Sequence, residues 1–259
     1  MDIAILESYI SRFYGYGSWN APLWFIGMEE GGCPTLDEFS SRLICWSRRG
    51  SAELEDAPAY HKELNFTRWF GPKAKLQSTW EKLVRIYLSS QGLLSDIEAV
   101  RHFQGERFGS RDCGFASLEL FPLPSTDTSA WIYRDAAHIP YLINRQVYKY
   151  YVYPKRAEGL RQRIATHRPK YVIIYGLAYV DEWEGIIGKK FGGRDSHNVH
   201  ETTFESSRIL VVPHPVARGL AQSYWQEIGK RLNEGHHELP EPMPNMLTPP
   251  PATPQTPSP

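Results

Sequence analysis

Four short stretches rich in apolar residues recur along this 259-residue chain: "APLWFIGM" (Ala21 to Met28), "FASLELFPL" (Phe115 to Leu123), "KYVIIYG" (Lys170 to Gly176) and "RILVVPHP" (Arg208 to Pro215). The first, apolar throughout, suits a strand buried on both faces, and the other three read as further strands. Helical patterns separate them. Thr35 and Glu38 form a capping box for a helix to about Arg48, and Ser78 with Glu81 repeats it for a helix ending near Gly92. Further helices are predicted over Pro154 to His167, Tyr179 to Lys189 and about Arg218 to Asn233. Strands alternating with helices pair in parallel through right-handed crossovers, so the predicted fold is a three-layer α/β/α domain around a central four-stranded parallel sheet.

The remaining composition is compatible with one such domain. With 41% hydrophobic and 13% aromatic residues, the chain has ample material for a core. From Leu239 it becomes "LPEPMPNMLTPPPATPQTPSP", too rich in proline for helix or sheet. The expected organisation is therefore a folded domain over 1–238 and a disordered Pro-rich tail over 239–259. The three cysteines, Cys33, Cys45 and Cys113, show no C-x-x-C spacing, which argues against a disulfide framework and against a zinc or iron–sulfur site. The start, "MDIAILESYISRFYGYG", reads as an amphipathic helix rather than a signal peptide, and no apolar run is long enough to span a bilayer. A cytoplasmic protein without membrane association is expected.

Formal charge is zero, so a nucleic-acid surface has to be local. The segment Arg145 to Lys170 offers a candidate: Arg145, Lys149, Lys155, Arg156, Arg161, Arg163, Arg168 and Lys170 stand against Glu158 alone. A phosphate-tracking patch and a solvated helix face fit it equally well.

In open parallel sheets, ligands bind beyond the carboxyl ends of the strands. Glu29, Glu119, Gly176 and His214 fall at or near those predicted ends. "FIGMEEGG" (Phe25 to Gly32) puts two adjacent carboxylates, Glu29 and Glu30, on a glycine turn, and "VVPHPVARGL" (Val211 to Leu220) fixes His214 between two prolines.

"GMEEGG" followed by "HPVARG", with "ELFPLPS" and "RPKYVIIYGLA" between them, resembles the motifs of the uracil-DNA glycosylase superfamily over about Ala21 to Leu220. The resemblance implies a monofunctional DNA glycosylase that hydrolyses the N-glycosidic bond of a flipped pyrimidine, needs no metal or cofactor, and acts on DNA as a monomer. It implies catalytic roles for Glu29, which orients water, and for His214, which donates to the base carbonyl O2. Glu30 replaces the usual proline and is a candidate second acid. Gly27, Met28 and Gly31 line the base pocket, with Gly31 leaving room beside C5. Arg218 and Pro215 contact the duplex as the wedge loop, joined by Arg145 and Lys149 of the basic segment. Phe39, Phe103 and Phe108 are candidates to stack on the base, and Phe108 is taken as the substrate contact.

Glu119 stands where this superfamily uses asparagine to read uracil. A carboxylate accepts from the N4 amino group of cytosine and, if protonated, donates to N3. Together with the open C5 side, this suggests a C5-modified cytosine, as in the branch that excises glucosylated hydroxymethylcytosine from phage DNA in anti-phage defence. Other readings stay open. One is an ordinary uracil-DNA glycosylase of base excision repair. Another is a metal-dependent hydrolase using Glu29, Glu30, Asp195, His197, His200 and His214. The last is a catalytically silent nucleic-acid-binding module.

Overall fold

The computed structural model describes residues 2–233 except 128 and 137, with only the backbone of Asp135; the tail over 239–259 lies outside the described residues. In chain order the elements are α1 (Ile3–Arg12), β1 (Gly15–Tyr16), β2 (Leu23–Gly31), α2 (Leu36–Arg48), β3 (Leu54–Glu55), α3 (Ala57–Glu63), α4 (Ser78–Ser90) and α5 (Ile97–Arg107). There follow β4 (Phe115–Ser125), α6 (Arg145–His167), β5 (Tyr171–Tyr175), α7 (Val180–Ile187), β6 (His200–Phe204), β7 (Ser207–Val212) and α8 (Gln222–Arg231).

The four apolar-rich stretches form β4, β2, β5 and β7, which lie side by side in parallel as the middle of the sheet. Among the described residues the sheet has seven strands rather than four, in the order β3-β1-β4-β2-β5-β7-β6. β1 runs antiparallel to β4 and β6 antiparallel to β7, so the sheet is mostly, not wholly, parallel. The three added strands carry weak sequence signals. β1 and β3 are two residues each, and the edge strand β6, "HETTF", is only partly buried.

Side chains alternate between two cores, one on each face of the sheet. Trp24 and Ile26 of β2 join the core that includes Phe39 of α2, Leu160 of α6 and Trp183 of α7. Leu23 and Phe25 join the other, with Leu83 of α4, Val100 of α5 and Trp225 of α8. Period-two alternation with both sets apolar is what a doubly covered sheet requires.

Several helix boundaries differ from expectation. Thr35 caps α2 as predicted, its Oγ1 accepting from Glu38 N at 3.2 Å, but the Glu38 carboxylate pairs with Arg42 instead of returning to the cap. For α4 the capping side chain is Gln77, which accepts from Trp80 N at 2.6 Å; Ser78 is already helical. α6 starts at Arg145, nine residues before the proline taken as its beginning, and Pro154 sits inside it. α8 begins at Gln222, leaving Arg218 in a turn before it. Cys33, Cys45 and Cys113 are buried and unpaired, and no helix among the described residues is long and apolar enough to cross a membrane.

Candidate active site

β2 leaves the core at Gly27. This glycine lies on the middle strand of three, opposite Glu119 of β4, while Tyr175 closes β5 on its other side. A Cβ at position 27 would stand 2.3 Å from the Tyr175 hydroxyl and 2.4 Å from Glu119 Oε2. The missing side chain thus lets the Tyr175 hydroxyl reach over β2 and donate to Glu119 Oε1 at 3.0 Å. Gly27 was expected to face substrate; in the structure its missing Cβ makes room for this hydrogen bond.

Glu119 is the most perturbed acid at the site. Burial, reinforced by Glu30 and Glu29, outweighs the Tyr175 hydrogen bond and pushes its pKa from 4.5 to about 8. The carboxyl is therefore neutral at pH 7. With Oε1 accepting from Tyr175, the proton belongs on Oε2, which is sealed from solvent and has no partner. Behind it, buried Arg156 bonds the carbonyls of Glu119 and Leu120 at 2.8 and 2.9 Å and lies 3.6 Å from the Tyr14 ring centroid.

Tyr175 links this acid to His214, their rings meeting edge to face at 5.5 Å. Pro213 and Pro215 fix the backbone around the histidine. Val216 N donates to His214 Nδ1 at 3.3 Å, which leaves Nε2 as the proton-bearing donor. Desolvation lowers the pKa of this imidazole, so it is neutral at pH 7 even though the residue is exposed as a whole. Glu119, Tyr175 and His214 therefore form one connected row across the ends of three strands. The sequence signal for Tyr175 was available: it is the polar-tipped last residue of an apolar run.

The adjacent acids of "MEEGG" diverge. Arg145 Nη1 donates to both Glu29 oxygens at 2.6 and 2.5 Å, and Lys149 Nζ adds a contact at 3.0 Å. One helical turn separates the two cations, so both project from one face of α6. Arg145 also bonds Ser125 Oγ and the carbonyls of Asp127 and Ala130. Arg145 is thus a strut between helix and strand ends, and its expected contact with DNA is not available. Glu30 turns instead towards α2, where Arg42 stands at 3.3 Å and the Tyr16 hydroxyl at 3.3 to 3.4 Å. That arrangement replaces the expected second acid with a packing anchor.

Lys149 borders a cavity of about 660 Å³ between the strand ends and α6, shared with Met28, Phe121, Tyr153, Tyr179 and Glu182. Its ammonium lies 5.0 Å from the Phe121 ring centroid. Met28 therefore lines a cavity whose walls include neither Glu119 nor His214, and Lys149 faces that cavity while contacting Glu29. A Cβ at Gly31 would meet nothing within 4 Å, so that side is open.

The predicted aromatic contact is not here. Phe108 is fully buried, stacked on Trp80 at 4.2 Å and edge-on to Phe115, the first residue of β4, at the opposite end of the strand. Phe39 and Phe103 are core residues too. Pro215 is buried in its turn, so it shapes the loop that presents exposed Arg218. The metal-ligand set does not converge: among the described residues no three His, Cys, Asp or Glu side chains could share an ion. Asp195 pairs with Arg231 and accepts from His197 N and Val199 N, while His200 bonds Gly192 O and Arg194. No protein-family profile matches this chain and a search of the curated proteins finds no match, so its chemistry has to be read from the residues at these strand ends.

Proposed function

We propose that the protein is a monofunctional DNA glycosylase that removes a C5-modified cytosine from DNA, as its motifs' resemblance to the uracil-DNA glycosylase superfamily implies. The observation that carries this reading is the Glu119 carboxyl, held neutral by burial with Oε2 lacking a partner, in one row with the neutral imidazole of His214. Both groups stand at the carboxyl ends of parallel strands, the imidazole exposed and Oε2 of Glu119 covered. Oε2–H of Glu119 suits N3 of cytosine, an acceptor in that base and an N–H donor in uracil. A buried donor without a partner costs about 1–3 kcal/mol, which a base acceptor would recover. Because Oε2 is sealed from solvent, side chains have to move for the base to reach it.

In the reaction, water adds across the glycosidic C1′–N bond: hydroxide joins the sugar carbon and the remaining proton goes to the departing base. Nε2–H of His214 faces the charge that develops on O2 of that base; a donor of this kind is worth about 3 kcal/mol. Glu29 fits water positioning better than proton abstraction. A carboxylate offers about four acceptor sites, and Arg145 and Lys149 occupy three of them. The free site on Oε2 can hold one water. Open space at Gly31 accommodates a C5 substituent such as a glucosylated hydroxymethyl group, which would direct the enzyme against phage DNA.

The test is a panel of single-stranded and duplex oligonucleotides carrying uracil, cytosine, hydroxymethylcytosine or its glucosylated form, scored for abasic sites. Release of the modified cytosines, abolished by Glu119→Ala, is expected. Preferential release of uracil would transfer the protein to base excision repair, and no release from any substrate would overturn the glycosylase reading.

A further inference from the structure

The segment "FTRWFGPKAK" (Phe66 to Lys75), between α3 and α4, carries Arg68, Lys73 and Lys75, all exposed. Its backbone is held from beneath. Gln104 of α5, fully buried, accepts from Gln77 N at 3.0 Å and donates to the carbonyls of Trp69 and Lys75 at 3.1 and 2.9 Å. Lys75 N donates to Arg68 O at 2.9 Å, and Gly71 N to Gly105 O at 2.7 Å. Gly105 permits that approach: a Cβ there would come within 2.7 Å of Gly71 O. The loop is therefore fastened to α5 by backbone contacts, and its charged side chains are left outside.

Those side chains, with Thr67, Phe70 and Pro72, surround a hollow of about 450 Å³. Arg68 is braced on the Trp69 ring, 4.5 Å from its centroid. Among the described residues, none of Arg68, Lys73 and Lys75 takes part in an ion pair. The basic segment after Arg145 is mixed, with Lys155, Arg161 and Arg168 exposed and in no ion pair among the described residues. There Arg145, Lys149 and Arg163 are paired with Glu29 or Glu53, and Arg156 is buried on Tyr14.

Cations without counter-charges on a fixed backbone attract an anion while adding little ordering entropy on binding. A hydroxyl and three separated positive groups suit successive phosphates better than one small anion. Trp69 packs against the core that contains Tyr175 and Phe70 against the cores of both faces, so the loop lies at the margin of the Tyr175 face of the sheet. We propose that Arg68, Lys73 and Lys75 form a clamp for the DNA phosphodiester backbone, holding the strand whose base is presented to that face. The choice of DNA as the polyanion rests on the glycosylase reading.

The experiment uses the full chain and labelled oligonucleotides without any modified base, with affinity measured against salt concentration for the wild type and for the combined Arg68→Gln, Lys73→Gln, Lys75→Gln variant. The slope of log affinity against log salt should become shallower by roughly one for each cation removed, by the same amount on every sequence. Melting temperature should not change, and Arg68→Lys alone should keep the wild-type slope. A triple variant that melts normally and retains the wild-type slope overturns the clamp, as does a wild-type chain that binds no DNA. Equal wild-type affinity for an acidic peptide overturns DNA as its partner. Since these oligonucleotides contain nothing to excise, failure of base release on the substrate panel leaves this measurement intact.

Discussion

Glu119 makes the site's protonation state measurable. In the unfolded chain its carboxyl titrates near the ordinary 4.5, and in the folded protein at about 8. Between these values the folded state holds a proton that the unfolded state has released, so rising pH removes stability across that window and no further above it. Glu119→Gln keeps the neutral shape without the titration. Its melting temperature should match the wild type near pH 5 and exceed it increasingly towards pH 8, as thermal melts across pH would record; a constant difference would refute the protonated carboxyl. Base release by the wild type should decline above pH 8 for the same reason. At His214, which is exposed, His214→Ala should leave the melting temperature within a degree or so while lowering the rate of base release roughly 100- to 1,000-fold, the range for losing one donor aimed at developing charge. A fall in stability large enough to explain the lost rate would argue against that role.

The contact between α6 and the ends of β2 and β4 shows what can be read at the level of elements. Stretches rich in apolar residues located the four central strands because burial on both faces leaves few polar positions in them. The cations of α6 gave no such guidance. Glu29 lies 116 residues from Arg145, and Glu53 lies 110 residues from Arg163, so a basic run with distant partners reads in sequence as an exposed one. Pro154 obscured the first turns of the helix for a related reason: proline is a common helix start, and here it stands on the exposed side of a helix already under way. The candidate acids were legible as residue types at strand ends, but their orientations were not. Arg145→Ala should cost about 3–5 kcal/mol, since the pair is largely buried and Glu29 would lose its main partner. Denaturant unfolding of that variant beside the Glu29→Ala, Arg145→Ala double variant checks this, with the double variant expected to recover part of the loss.

For the whole molecule, zero formal charge conceals an uneven distribution. Arg145, Lys149, Arg156 and Arg163 are committed to contacts within the protein, whereas Arg68, Lys73, Lys75 and Arg218 are exposed. If those four meet phosphates, the salt dependence of duplex binding should have a slope of roughly 3–4, which titrations at several salt concentrations would measure. A slope well above four would mean that cations of the segment after Arg145, exposed Lys155, Arg161 and Arg168 among them, also face DNA.

The hydrogen bond that passes over Gly27 also constrains how related sequences can drift. A methyl at position 27 would occupy the space of the Tyr175 hydroxyl and the Glu119 carboxyl, so alanine becomes tolerable only once one of those two is shortened. Positions 27, 119 and 175 should therefore covary as a triplet: homologues with a side chain at 27 are expected to lack the glutamate or the tyrosine, and with it the means of holding a neutral acid at the strand ends.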